Sequence, residues 1–127
     1  MKNQKTANIN VKVKQFFSKW IEFTKPFHKL AKRHQDTLAL LLYHHYRLGK
    51  EITNEKILWK EVFGYDTKVL ISDELGIKMG AVENLYSQLR GMNIIVNNRI
   101  TPAYVPELDT KSPKFSININ FNINYNE

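Results

Sequence analysis

Ser72-Asp73-Glu74-Leu75-Gly76-Ile77-Lys78-Met79-Gly80-Ala81-Val82-Glu83-Asn84-Leu85 is the stretch whose reading decides how this chain folds. Gly76 separates two runs with helical spacing, and a left-handed backbone is cheapest at glycine. Upstream, Asp66 is placed to cap a helix from Thr67 to Leu75 with Val69, Leu70 and Leu75 inward. Downstream, Val82, Leu85, Tyr86 and Leu89 recur at three- and four-residue intervals, so a second helix is predicted from Met79 to Met92. Ile77 fills the apolar turn position, and Ala81 is small where two helices would touch.

Beyond this pair, Ile94-Ile95-Val96, Asn97-Asn98 and Arg99-Ile100-Thr101 read as a hairpin. Two asparagines tolerate the positive φ angles that a two-residue hairpin turn needs. Pro102 and Pro106 then end regular structure, and residues 106–113 read as a linker.

Before the pair, Thr53 or Asn54 would cap a helix carrying Ile57, Leu58, Val62 and Phe63, ended by Gly64. Trp59 belongs to the same helix and reads as core. Asp36 would cap an earlier helix reaching Leu48, with Leu38, Leu41, Leu42, His45 and Leu48 inward and Gly49 as its left-handed stop. Phe16, Phe17, Trp20, Ile21, Phe23, Phe27 and Leu30 predict a helix over residues 15–32 that Pro26 breaks or kinks. Ile9, Val11 and Val13 alternate with Asn10, Lys12 and Lys14, the pattern of a short strand with one wet face.

The far end alternates without a fault. Phe115, Ile117, Ile119, Phe121, Ile123 and Tyr125 fall on one face, with serine and asparagines on the other. As a strand, its eleven residues would reach roughly 36 Å, about twice the usual length. Little else in the chain can pair with it along that span. A long strand with bare edges and an apolar face is expected to add to another protein chain, or to a second copy.

Composition narrows the class. A chain of 127 residues, 43% hydrophobic and 24% charged, is ordinary for one globular domain. The longest apolar run, Leu38 to Tyr43, is far short of a membrane span. The opening residues, Met1-Lys2-Asn3-Gln4-Lys5-Thr6, lack a secretory pattern. With no cysteine, disulfides, thiolate metal sites and cysteine nucleophiles are excluded. The expectation is a protein that works in a cytosol or in something assembled there.

Charge is unevenly placed. The first 35 residues hold nine Lys/Arg and one acid, Glu22, whereas the other 92 hold ten basic and eleven acidic residues. Such an arm, including Lys12 and Lys14, suits phosphates or an acidic protein surface. From 36 to 110 the count is eight basic against ten acidic residues. The organisation expected is a basic arm and short strand at 1–14, a folded unit at 15–108, and a linker with the terminal strand at 109–127.

Enzymatic signatures are missing. No nucleophile motif, phosphate-binding glycine loop or paired carboxylates stand out. His44 and His45 are adjacent, so they point about 100° apart on a helix and not to one metal. His28 and His34 lie among Lys29, Lys32 and Arg33, whose charge opposes a cation. No enzyme, metal or cofactor is expected. The aromatic residues Phe16 to Phe27 can stack single-stranded bases beside the lysines, although helical spacing favours core or partner contact.

The segment from Ser72 to Leu85 resembles the core of a bacterial helix-turn-helix, and with the hairpin behind it the stretch Thr67 to Thr101 resembles a winged helix-turn-helix of the MarR-like kind. The fold expected is therefore α+β, mostly α: a winged helix-turn-helix core with an N-terminal strand and a long C-terminal strand extension. In DNA-reading members the second helix enters the major groove. The resemblance puts Lys78, Met79, Gly80, Glu83, Asn84, Ser87, Gln88 and Arg90 at the groove, with Asn97, Asn98 and Arg99 on the wing. Asn84 and Gln88 would read adenine, and Lys78 and Arg90 would meet phosphate. Against this, Glu83 would face a polyanion beside Asp73 and Glu74, and affinity for DNA rests largely on phosphate neutralisation.

The whole layout is also similar to small winged-helix proteins of tailed bacteriophages, including crAss-like phages. Basic strand, aromatic helix, Leu-rich helix, the Gly76–Leu89 turn-helix, the Asn98-Arg99-Ile100-Thr101-Pro102 exit and a late alternating strand follow in that order. That resemblance implies a virion or connector component, or alternatively a regulator that binds double-stranded DNA.

Overall fold

A run of apolar side chains at consecutive positions cannot stay half-wet on a helix, and Leu38, Ala39, Leu40, Leu41 and Leu42 are all buried. They belong to α3 (Lys32–Gly49), the central helix, in a computed structural model describing residues 5–126. Around it pack α1 (Val13–Phe23), α4 (Glu55–Val62), α5 (Tyr65–Leu75) and α6 (Met79–Gly91). A short α2 (Lys25–His28) links α1 to α3, and β1 (Ile95–Val96) and β2 (Arg99–Ile100) follow α6. Mostly helical with one small antiparallel sheet, the described chain is α+β.

The two helices flanking Gly76 form as their spacing predicts. Gly76 adopts φ +65° and ψ 37°. The amides of Ile77 and Gly76 turn back to the carbonyls of Ser72 and Asp73 at 3.1 and 3.3 Å, closing the end of α5. Val82, Leu85, Tyr86 and Leu89 are the buried residues of α6. Asn93, at φ +60°, ends α6 in the same way, its amide and that of Ile94 returning to Arg90 and Leu89. In the hairpin Ile95 pairs with Ile100 and Val96 with Arg99, while Asn97 and Asn98 both take φ +54°. Those angles are the signature of a tight primed turn.

Several helix ends shift. α3 starts a turn before Asp36, whose carboxylate instead meets Lys32 Nζ at 3.1 Å. Gly49 is the last helical residue and takes no positive φ. Asn54 does cap α4, accepting the Ile57 amide at 3.0 Å, but Ile57 itself is exposed while Trp59 is buried. Gly64, at φ −78°, is the N-cap of α5, placing Asp66 inside the first turn. Leu70 faces solvent, and Thr67 takes an inward position with Ile71 because its hydroxyl reaches the Glu61 carbonyl at 3.0 Å.

The predicted first helix is interrupted before Pro26. α1 stops at Thr24, and Pro26 sits in the first turn of α2, where its missing N–H costs no hydrogen bond. Lys29 then turns left-handed at φ +55°. His28 braces the bend: Nε2 donates to the Ile21 carbonyl at 2.7 Å and Nδ1 accepts from Leu30 N–H at 3.0 Å. The bend leaves Phe23 and Phe27 in solvent and not in the core.

Neither terminal strand forms among the described residues. Residues 5–12 hold no regular element, Lys12 is the N-cap of α1, and Lys14 lies within that helix. Residues 115–124 enter no ladder. The one sheet has strands of two residues each, so its edge is too short to template either segment. The expected arm at 1–14 begins outside the described residues, as does Lys2 within it.

Candidate partner and nucleic-acid surfaces

The alternating C-terminal face is anchored at one end only. Phe115 sets its ring edge-on against Phe16 and Trp20, with centroids 5.1 and 5.6 Å apart. Trp20 is itself held by an Nε1–H bond to the Tyr104 carbonyl at 2.9 Å. Beyond Phe115 no ring pairing continues among the described residues, and exposure rises towards the end of the segment. Ile117 and Ile119 are 41% exposed, Phe121 84%, Ile123 63% and Tyr125 86%. The structure thus separates Phe115 from the five residues the sequence grouped with it.

On α6 the exposed side carries Gly80, Glu83, Asn84, Ser87, Gln88 and Arg90, opposite the buried residues. Lys78, the N-cap of α6, is exposed and makes no capping bond. Asn98 and Arg99 stand exposed at the hairpin turn. Gln88 is engaged by α3, its Oε1 lying 2.7 Å from His34 Nε2.

Two of the three acids that oppose a polyanion are neutralised. Glu83 meets Lys68 of α5 at 2.5 Å, and Glu74 pairs with Lys14 of α1. The second contact also removes Lys14 from any free basic arm, which the sequence alone did not indicate. Lys68 lies 5.8 Å over the ring of Tyr86. Burial pushes the Tyr86 phenol above its ordinary range, with the Glu83 charge adding to it. Its Oη has no hydrogen-bond partner among the described residues.

The remaining two histidines pack within the helices. His44 is buried and accepts a hydrogen bond at Nδ1 from Arg47 Nε at 3.1 Å. Burial, then the charges of Arg47 and Lys14, pull its pKa down to about 4, against an opposing pull from Glu74. His45 stacks on Trp59 with centroids 4.0 Å apart and lies 3.9 Å from Glu55. Burial lowers its pKa too, and Glu55 counteracts it. The buried Nε2 of His45 has no hydrogen-bond partner among the described residues.

No helix among the described residues is long and apolar enough to cross a membrane. The break that Pro26 predicts is present between α1 and α2. Sequence reasoning missed that Phe23 and Phe27 turn outward there, because a helical spacing continues across Thr24 and only His28 reveals the brace. Comparison with known proteins adds no relative: no family model, curated protein or solved structure matches this chain.

Proposed function

We propose that this protein is a non-enzymatic interaction module of a multi-subunit assembly, such as a phage virion or connector, formed in a bacterial cytoplasm. α5, α6 and the hairpin act as a winged-helix block, and the C-terminal segment adds as a strand to a neighbouring subunit. One observation carries the reading. Five apolar side chains, Ile117 to Tyr125, alternate along a segment that is exposed and unladdered, yet begins at a fixed anchor, Phe115. An extended segment of this kind gains backbone hydrogen bonds and an apolar face together when it joins a sheet edge.

The test is removal of residues 117–127, which leaves the Phe115 anchor in place. Sedimentation of the full chain within its assembling system should show a higher-mass species that the shortened chain loses at unchanged thermal stability. A photo-cross-linker at position 121 should trap the neighbour. Identical sedimentation of both forms, with no cross-link, would remove the proposal.

A second reading is supported by the pairing of Glu83 with Lys68 and Glu74 with Lys14, which relieves repulsion at the exposed side of α6. On this reading the chain binds double-stranded DNA through Lys78, Asn84, Ser87, Arg90, Asn98 and Arg99. Retardation of genomic DNA fragments across a salt series decides it. Salt-steep, sequence-selective retention abolished by Lys78→Glu with Arg90→Glu would favour the regulator.

A further inference from the structure

Phe23 and Phe27 are 52% and 76% exposed, although they continue the aromatic series of α1. Phe16, Trp20 and Phe23 share one side of α1, at intervals of four and three residues. Phe115 covers the first two and not the third. Phe23 shares a shallow, solvent-open depression with Glu22, Lys25, Pro26 and Lys29. The bend that holds this surface is braced on both sides of His28, by the Ile21 carbonyl and the Leu30 amide.

The charges around it are uneven. Lys19 lies 3.9 Å from Glu22, and Lys32 lies 3.1 Å from Asp36. Lys25, Lys29 and Arg33 are exposed and form no ion pair among the described residues. Glu22 is the one acid of the first 35 residues, and Lys19 stands beside it. Phe23 with Lys25 and Lys29 around one depression, Phe27 exposed in the next helix and Arg33 exposed in the first turn of α3 offer rings and cations to a ligand that is both anionic and flat-faced.

We infer that the end of α1 and α2 bind single-stranded nucleic acid, Phe23 and Phe27 stacking on bases while Lys25, Lys29 and Arg33 meet phosphates. Stacking needs unpaired bases, because a duplex hides their faces. An anionic membrane would take the same residue types, but on a continuous apolar helix face lying in the interface plane. Thr24 and Pro26 break the helix between the two rings. An acidic peptide would satisfy the cations and leave both rings in water. The inference does not depend on the assembly reading, since it uses none of residues 116–127.

Fluorescence anisotropy of a labelled twenty-nucleotide oligothymidine with the full chain tests it. The matching duplex, polyphosphate and phosphatidylglycerol vesicles are run alongside. The single strand should bind most tightly and weaken steeply with salt. Phe23→Ala and Phe27→Ala should each weaken it about tenfold or more, with polyphosphate binding unchanged. Phe27→Leu should match Phe27→Ala, since a ring and not bulk is required. Lys25→Glu with Lys29→Glu should weaken both ligands. All these positions are exposed, and a thermal melt verifies that each variant folds. No binding of the single strand at low salt would overturn the inference. So would tighter binding of duplex or vesicles, or indifference to both phenylalanine substitutions.

Discussion

Gly76 and Gly80 are separated by one turn's worth of chain, and an added methyl group acts on them in opposite directions. A Cβ at either would meet nothing within 4 Å, so backbone conformation alone decides. Gly76 sits at φ +65°, where an L side chain costs about 1–2 kcal/mol. Gly80 lies inside α6 with a helical φ, where alanine gains roughly 0.4–1 kcal/mol, mainly by restricting the unfolded chain. Urea melts of Gly76→Ala and Gly80→Ala should therefore move apart in midpoint. His44 gives a pH-dependent counterpart. Its folded pKa is about 4, below the ordinary 6.5, so the unfolded state binds more protons between those values. Stability should be full above pH 6.5 and fall as the pH drops towards 4. His44→Gln should flatten that part of the profile in melts taken at stepped pH, with His45 contributing a residual slope in the same direction.

At the scale of elements, local chemistry was legible where one residue type answers one backbone demand. Gly76, Asn54 and the Asn97–Asn98 turn all do what their side chains suggest. Asn98→Gly should stabilise the hairpin modestly, because glycine carries no penalty at φ +54°. Amide exchange at Thr101, whose N–H bonds the Ile94 carbonyl at 2.8 Å, should slow accordingly. Element ends were less legible. Asp36 has the right chemistry for a cap, but a longer α3 buries more, and an ion pair with Lys32 takes up the carboxylate. Gln35 is buried within that added turn, with its amide nitrogen on the Leu30 carbonyl at 2.7 Å. Its polar character hides this from any hydropathy pattern. Pro26 announced the break after α1, but the brace that fixes its direction is of the same hidden kind, since the bond from His28 joins residues seven apart.

Across the whole molecule, α3 is the hub on which α1, α4, α5 and α6 converge. Leu41→Ala, at a site with no exposure, should lower stability by about 2–5 kcal/mol. Thermal or urea unfolding against Leu70→Ala, an exposed position, provides the contrast. The C-terminal segment behaves differently, because a single aromatic contact group fastens it. Limited proteolysis should cut within residues 116–126 well before the helices. Phe115→Ala should extend early cleavage back towards Leu108, which still packs on the core, with little change in the melting of the remainder. Uniform resistance along the segment would contradict this picture.

What the sequence determined by itself was the helical spacing of α4, α5 and α6, the left-handed turn at Gly76 and the two-asparagine hairpin. These depend on φ preferences and on periodicity within a few residues, both written locally. It also determined the uneven charge, which is a matter of counting. Only the tertiary structure decided which cations are already paired, that Phe115 docks while Phe121 and Tyr125 do not, and that Phe23 and Phe27 turn outward. Alternation of apolar residues states that a face exists, not that an edge is present to receive it. Strand pairing and ion pairing are contacts between distant segments, so their outcome rests on packing that no short window of sequence contains.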